Sequence, residues 1–156
     1  MEKNVKLTDE LQVKWRVQST NDKGQKPYCI MIAYVDARDV AQRLDDVFGF
    51  QNWSDEYKMV RDELFCRITV NYEGVQTYRE DVGSPSNVEK EKGRASDAFK
   101  RAAVKFGIGR YIYELEPLKI DGKIFKGKVY PISKTGKFLK GQELTDFCNT
   151  KYAQEQ

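Results

Sequence analysis

The chain has 156 residues, of which 33% are charged, contains no histidine and carries a formal net charge of +3 at pH 7. This length predicts one domain, residues 1–156, large enough to bury a core. The lack of histidine excludes Ser-His and Cys-His nucleophiles and removes the commonest general base.

Several absences in the sequence bear on its location. No stretch is as long and apolar as a membrane span, and residues 1–10 lack the apolar core of a secretion signal. The cysteines at 29, 66 and 148 are far apart and form no C-x-x-C pair, which is typical of a reducing compartment. We therefore expect a cytoplasmic protein without a membrane partner.

Positive charge is concentrated in one part of the chain. Residues 90–140 contain 14 Lys or Arg and 5 Asp or Glu, whereas the rest of the chain contains 13 and 19. Such an asymmetry predicts contact with an anionic partner, and nucleic acid is the usual one.

The first 35 residues predict a helix followed by a strand. Leu7, Leu11 and Trp15 recur at four-residue spacing, which is typical of an amphipathic helix over residues 7–18. Turn-forming residues follow at 21–27, and the continuous apolar run at 28–35 predicts a buried strand.

A second helix is predicted over residues 37–48. Val40 and Leu44 repeat at helical spacing, Asp36 suits the N-cap, and Gly49 provides a C-terminal stop. Arg38 is then expected in the first exposed turn.

From residue 53 to residue 81 the period changes to two. Turn residues at 61–63 and 73–74 separate three segments, "WSDEYKMV", "LFCRITVNY" and "VQTYREDV", which predicts an antiparallel meander. A loop is expected at 83–87, then a helix from residue 88 that is broken or restarted at Gly93 and ends at Gly107 or Gly109. In the tail, residues 118–156, turns at Asp121-Gly122 and Thr135-Gly136 predict a basic hairpin, and residues 142–152 predict a last short helix.

The helix predicted from residue 88 has an apolar face and a basic face. At about 100° per residue, the residues that share the apolar face are Phe99, Ala102, Ala103 and Phe106. Arg94, Arg101 and Lys105 lie together on another face, and Lys100 flanks the apolar one. A solvated surface is an equally ordinary interpretation. We favour an anion-binding face because like charges at i,i+4 and i,i+7 repel one another instead of pairing.

Three other features of the sequence are candidate sites for ATP, a metal ion or stacked bases. "GKIFKGKV" at 122–129 is close to a P-loop, but Val129 stands where a magnesium-binding Ser or Thr is required, so no ATP dependence is expected. Glu80 and Asp81 are neighbours in a strand and should point apart, which disfavours a metal site. Trp15 and Trp53 could stack on bases, although burial is the commoner role of tryptophan.

Three stretches, in this order, resemble the Rad52/Rad22 family of single-strand annealing proteins: "YVDARDVAQRLDDVFGFQNW", "YREDVGSPS" and "KGRASDAFKRAAVKFGIGRYIY". The likeness covers about residues 28–113 and is closest to short phage and bacterial members of the Sak and DdrA kind. It implies an α+β fold in which residues 28–113 form a β-β-β-α annealing core. It also implies that protomers assemble into a ring, with single-stranded DNA in a positively charged groove around it.

The resemblance also assigns site residues. Arg38 matches the family's arginine at the start of the first core helix, and Lys100 and Arg101 match its Lys-Arg pair. Together with Arg94 and Lys105 of the basic helix face, they are the predicted DNA-binding residues. The family's outer DNA site has a lysine at a position where this chain has Tyr72 and Glu73. Whether this chain has an outer DNA site therefore stays an open question.

The function expected is ATP-independent binding and annealing of single-stranded DNA in homologous recombination and DNA repair, in a bacterial or phage-infected cell. We expect a homo-oligomer without catalytic residues, metal or cofactor, and a single-strand-binding protein is a candidate partner. Two alternatives stay open. One is a metal-dependent nuclease that uses Glu80, Asp81 and a lysine such as Lys92, and the other is a general double-strand or RNA-binding module.

Overall fold

The computed structural model describes residues 4–24, 26–84 and 90–156, with residues 90–92 described by their backbone alone. The fold is α+β, as predicted, with antiparallel sheets. In chain order its strands and α-helices are β1 (Lys14–Asn21), β2 (Tyr28–Tyr34), α1 (Ala37–Phe48), β3 (Trp53–Val60), β4 (Glu63–Tyr72), β5 (Val75–Gly83), α2 (Lys90–Val104), β6 (Leu118–Phe125), β7 (Lys128–Pro131) and α3 (Gly141–Gln154). Short 3-10 helices occupy Phe50–Asn52 and Arg110–Glu114.

The chain divides into two compact units. The first consists of Met1–Gln12 and Val35–Arg110, and the second of Val13–Tyr34 and Tyr111–Gln156. The single domain expected for residues 1–156, with a core at 28–113 and a tail at 118–156, stays a prediction. The loop expected at 83–87 lies outside the described residues from position 85 onward.

The first unit contains the predicted meander. Its sheet has the order β3-β4-β5, with antiparallel pairing throughout. Glu73 and Gly74, at the β4–β5 turn, both have positive φ, of 51° and 79°, as a type I′ hairpin turn requires. The central strand β4 buries Cys66, Ile68 and Val70 on one face, and the helix that covers this face follows the meander in sequence.

That helix, α2, packs on β4 and β5 and completes the predicted β-β-β-α order. Its core face is the predicted one, because Ala98, Phe99, Ala102 and Ala103 are all buried. It runs through Gly93 without a break and ends at Val104, before the stop expected at Gly107 or Gly109.

Gly83, the last residue of β5, lets the strand approach α2 closely. A Cβ at this position would overlap the carbonyl oxygen of Arg94 and lie 2.8 Å from the backbone nitrogen of Ala98. Only glycine therefore fits between β5 and α2 without a shift of the backbone.

The predictions for α1 are confirmed. Asp36 occupies the N-cap position, although its side chain makes no capping hydrogen bond. Gly49 ends the helix with φ of 83°, and its N–H donates to the carbonyl of Asp45 at 2.8 Å. Val40 and Leu44 are buried, which fixes the face of α1 that meets the core.

The helix predicted over residues 7–18 is wrong. Residues 7–9 form a turn, and residues 14–21 form β1, which pairs with β2. The buried guanidinium of Arg43, in α1, accounts for the non-helical start, because it donates to the backbone carbonyls of residues 6, 7, 9 and 10. In a helix those carbonyls would accept from the N–H groups four residues on.

The second unit has a sheet in the order β1-β2-β6-β7. α3 confirms the predicted last helix, and the core includes Cys148 of that helix together with Trp15, Cys29, Met31, Leu118 and Ile120. The hairpin between β6 and β7 is present, but its turn is at Lys126-Gly127, with φ of 50° and 79°. The turn predicted at Asp121-Gly122 is wrong, because both residues lie within β6, where a Cβ on Gly122 would crowd Val129.

The turn predicted around Thr135-Gly136 is confirmed, since the N–H of Gly136 donates to the carbonyl of Ser133 at 3.0 Å. Within the described part of the chain, every helix is too short or too polar to cross a bilayer.

Candidate nucleic-acid interface

The N-terminal end of α1 carries the first predicted site residue. Arg38 is the second residue of this helix, and its side chain is exposed. Among residues 4–24, 26–84 and 90–156 it has no hydrogen-bonding or ionic partner. The helix dipole and unpaired N–H groups favour anions at this end, where Asp36 and Asp39 also lie.

Lys100 of α2 reaches the same place. Its ammonium nitrogen donates to the carbonyl oxygen of Val35 at 3.2 Å, and Val35 lies two residues before the first residue of α1. The structure therefore brings Lys100 to the end of α1 that carries Arg38, although 62 residues separate them in sequence.

Arg101 and Lys105 lie in the C-terminal half of α2 and are paired with acidic residues. The Nε of Arg101 is 2.9 Å from Asp97, one turn earlier in the helix. The ammonium group of Lys105 is 3.8 Å from Asp81 of β5 and also donates to the carbonyl of Glu80. The expectation that the basic face would lack ion pairs is wrong for both residues.

These ion pairs leave both cations accessible. The side chains of Arg101 and Lys105 are 42% and 46% exposed. Ion pairs this exposed are worth about 0–1 kcal/mol. The pairs hold the two cations in place on the surface of α2.

Arg94, another predicted site residue, contacts the protein backbone. Its Nη1 is 3.4 Å from the carbonyl oxygen of Asp62, in the β3–β4 turn. Its Nε is buried and has no hydrogen-bond partner among the described residues. The guanidinium of Arg94 is directed at backbone, unlike the exposed Arg38.

The sequence analysis missed Arg79 of β5. In the strand register Arg79 lies opposite Ile68, and Asp81 lies opposite Cys66, so both project from the face that α2 covers. The guanidinium carbon of Arg79 is 5.6 Å from the ring centroid of Phe106, one residue from Lys105. The period-two alternation of β5 places Arg79 and Asp81 on the same face of the strand. That this face lies against α2 could not be predicted from the sequence of the strand alone.

The carboxylates of the alternative nuclease site are separated by the sheet. Glu80 lies opposite Arg67 on the face away from α2, and their side chains are 3.0 Å apart. This hydrogen bond raises the pKa of the Arg67 guanidinium. Asp81 points to the other face, so the two carboxylates cannot bind the same metal ion. The side chain of Lys92 lies outside the described residues.

Both tryptophans have structural contacts. The indole N–H of Trp15, which is 4% exposed, donates to Asn149 at 2.8 Å. The indole N–H of Trp53 donates to Asp45 at 2.7 Å, and its ring centroid is 6.1 Å from that of Phe99. Their rings pack within their own units, which favours the structural interpretation.

Comparison with known families gives the same assignment as the resemblance. The family model described as "Rad52/22 family double-strand break repair protein" matches residues 4–128. The chain belongs to this family. The match extends beyond the stretch of residues 28–113 on which the resemblance depended, and it includes β1, β6 and most of the basic hairpin.

Two curated relatives carry the name single-stranded DNA-binding protein DdrA. The protein of Deinococcus radiodurans is 36% identical over 105 residues, which are 66% of this chain and 49% of the relative. The protein of Deinococcus deserti is 40% identical over 88 residues, which are 55% of this chain and 43% of the relative. The chain therefore spans about half the length of the curated relatives it matches.

Proposed function

We propose that this protein binds single-stranded DNA and anneals complementary strands, in recombination and repair, without nucleotide or metal. The proposal assigns phosphate contacts to Arg38, Lys100, Arg101 and Lys105, with a smaller contribution from Arg94. The membership of the Rad52/22 family and the names of the two relatives support it.

The observation that carries the proposal is the meeting of α2 and α1 at the N-terminal end of α1. The bond from Lys100 to the carbonyl of Val35 places an ammonium group at the helix end where Arg38 is exposed. Phosphate binding at such an end uses helix N–H groups, the dipole and both side chains. None of these groups reads a base edge, so binding should be tolerant of sequence.

Annealing needs no bond chemistry from the protein. A surface that holds the phosphates of one strand leaves the Watson–Crick edges open to a second strand. Base pairing then supplies the free energy, so neither ATP nor a metal ion is required. Arg38 and Lys100 would act by reducing the repulsion between the phosphates of the two strands.

The test is an annealing assay with two complementary labelled oligonucleotides in EDTA, without nucleotide. We expect intact duplex to form faster than without protein. Shortened strands on addition of magnesium would support the nuclease instead, and strict dependence on ATP would contradict the proposal. Val129→Ser, which restores the missing hydroxyl of the P-loop-like stretch, should leave annealing independent of ATP.

The proposal includes a homo-oligomer, which the resemblance describes as a ring. Among the described residues the outer edges of β3 and β5 have no partner strand. Both strands pair in unbroken register and expose large apolar side chains, among them Met59 at 53% and Val75 at 67%. Unprotected edges of this kind favour pairing with another chain.

The other sheet has protected edges. The register of β1 shifts between Val17 and Ser19, and β7 is four residues long and ends in proline, Pro131. Bulges, short strands and proline all oppose edge pairing. We therefore assign assembly to the β3-β4-β5 sheet. Light scattering should show an oligomer at micromolar concentration, and a monomer with full annealing activity would contradict this assignment.

A further inference from the structure

The β6–β7 hairpin presents an outer face that the core does not use. In its register Lys123 lies opposite Tyr130, and Phe125 lies opposite Lys128. Opposite residues of an antiparallel pair project to the same face. Ile120, which projects to the other face, is 1% exposed and belongs to the core. The lysines and aromatic rings therefore share the face that points away from it.

Three aromatic rings form a cluster on this outer face. The ring centroids of Phe125, Tyr130 and Phe138 are 6.0–6.4 Å apart in edge-to-face geometry. Phe138 joins them from the segment after β7, where it forms a bridge with Ile132. The three residues are 51%, 40% and 42% exposed. Half of this aromatic surface thus stays in contact with water, which is an unfavourable arrangement unless a ligand covers it.

Lysine side chains surround the rings. The ammonium nitrogen of Lys123 is 5.5 Å from the ring centroid of Phe138, and that of Lys126 is 5.4 Å from the ring centroid of Phe125. Residues 118–140 contain seven lysines and a single acidic residue, Asp121. The cluster is therefore an aromatic surface inside a strongly positive field.

We propose that this outer face is a second site for single-stranded nucleic acid. Bases stack on Phe125, Tyr130 and Phe138, and phosphates contact Lys123 and Lys126. The ligand class depends on the proposed function, but the site uses other residues, in the other compact unit. Exposed rings fit a single strand because its bases present their faces, whereas the bases of a duplex are stacked on one another.

The positive charge of this face favours a nucleic acid over a second copy of the chain as its ligand. Two copies joined through the same face would bring two sets of lysines together, and like charges at close range repel. A polyanion is attracted to the same residues and releases counterions on binding. Stacking and charge therefore both favour nucleic acid.

The test compares variants of the full chain in binding a fluorescent oligo-dT. Phe125→Leu and Phe138→Leu keep an apolar side chain but remove the stacking surface, and each should weaken binding about fivefold or more. Lys123→Gln combined with Lys126→Gln should lower the slope of log K against log salt by about 1.4, or 0.7 for each phosphate contact. Phe50→Ala is the matched control, because Phe50 is 79% exposed and lies in the first unit. It should bind like wild type.

Each outcome bears on the proposal. Hairpin variants that melt like wild type and bind as tightly, with the same salt slope, would overturn the second site. A change in oligomer size with unaltered binding would also overturn it, since the face would then be a protein contact. If the hairpin variants bind normally but Lys100→Ala weakens binding in the same assay, the second site is refuted and the proposed function stands. If wild type does not bind oligo-dT at all, the proposed function itself fails.

Discussion

Removing the charge of Lys100 or Arg101 tests whether these side chains bind DNA or only stabilise the fold. We expect Lys100→Ala and Arg101→Ala to bind single-stranded DNA more weakly, with a lower dependence on salt. Each loss of one phosphate contact should reduce the slope of log K against log salt by about 0.7 for every subunit engaged. Over a tenfold range of salt this slope difference changes the ratio of wild-type to variant affinity about fivefold.

The expected cost in stability follows from the contacts that the two residues make. Arg101 loses an exposed i,i+4 pair with Asp97, worth about 0.3–0.5 kcal/mol. Lys100 loses a hydrogen bond from a charged donor to the carbonyl of Val35, worth about 1.5–3 kcal/mol. Arg101→Ala should therefore melt close to wild type and Lys100→Ala somewhat lower, and both should stay folded and keep the wild-type oligomer size.

The assay is fluorescence anisotropy with oligo-dT and a mixed-sequence oligonucleotide over a salt series, with thermal melting and light scattering on the same samples. Lys58→Ala is the matched control, because Lys58 is exposed and lies opposite Phe65 on the face of the sheet away from α2. If both α2 variants fold normally and bind with wild-type affinity and slope, these cations are solvated surface charges and the site assignment is wrong.

Three further variants or treatments test the fold. Gly83→Ala should lower the melting temperature in circular dichroism, because its Cβ overlaps α2; unchanged melting would contradict the close approach. Phe99→Ala should cost about 3–5 kcal/mol in urea unfolding, since Phe99 is 5% exposed, and a loss under 1 kcal/mol would argue against its place in the core. Burial raises the pKa of Cys66 to about 12 and that of Cys148 to about 11, so iodoacetamide at pH 8 should label them only after unfolding. Because the folded state keeps these thiols protonated where the unfolded state ionises them, the urea midpoint should fall as pH rises above the usual thiol pKa of 9.0.

The elements that the sequence predicted well are those with local signals. The period-two segments and their turns became β3, β4 and β5, and the family prediction made from three motifs is confirmed. The core face of α2 followed from helical spacing, but only in part. Phe106 is half-buried, with Arg79 near its ring, whereas Phe99 is fully in the core.

The errors arose where distant residues decide the structure. Leu7, Leu11 and Trp15 fit a helix by spacing, but β1 exists because β2 is available to pair with it. Asp121-Gly122 has turn chemistry, yet Gly122 lies within β6, where it pairs with Pro131 of β7. Pairing of this kind cannot be read from a local window.

The ion pairs of α2 show the same limit. Asp97 is one turn before Arg101 and could have been found by spacing, since i,i+4 pairs are local. The partner of Lys105, Asp81, comes from a different strand and could not. The positions of the predicted DNA-binding residues in a complex stay a prediction, since their role in binding depends on the nucleic acid itself.

The buried Arg43 sets a limit on how the first unit can be shortened. Its guanidinium, 8% exposed, draws its hydrogen-bond acceptors from the backbone of residues 6–10. A version trimmed to start at residue 11 would remove all four acceptors of this cation and should lower the free energy of unfolding. Residues 6–10 therefore supply the hydrogen-bond acceptors of α1's buried arginine, and a minimal fragment of the first unit should retain them.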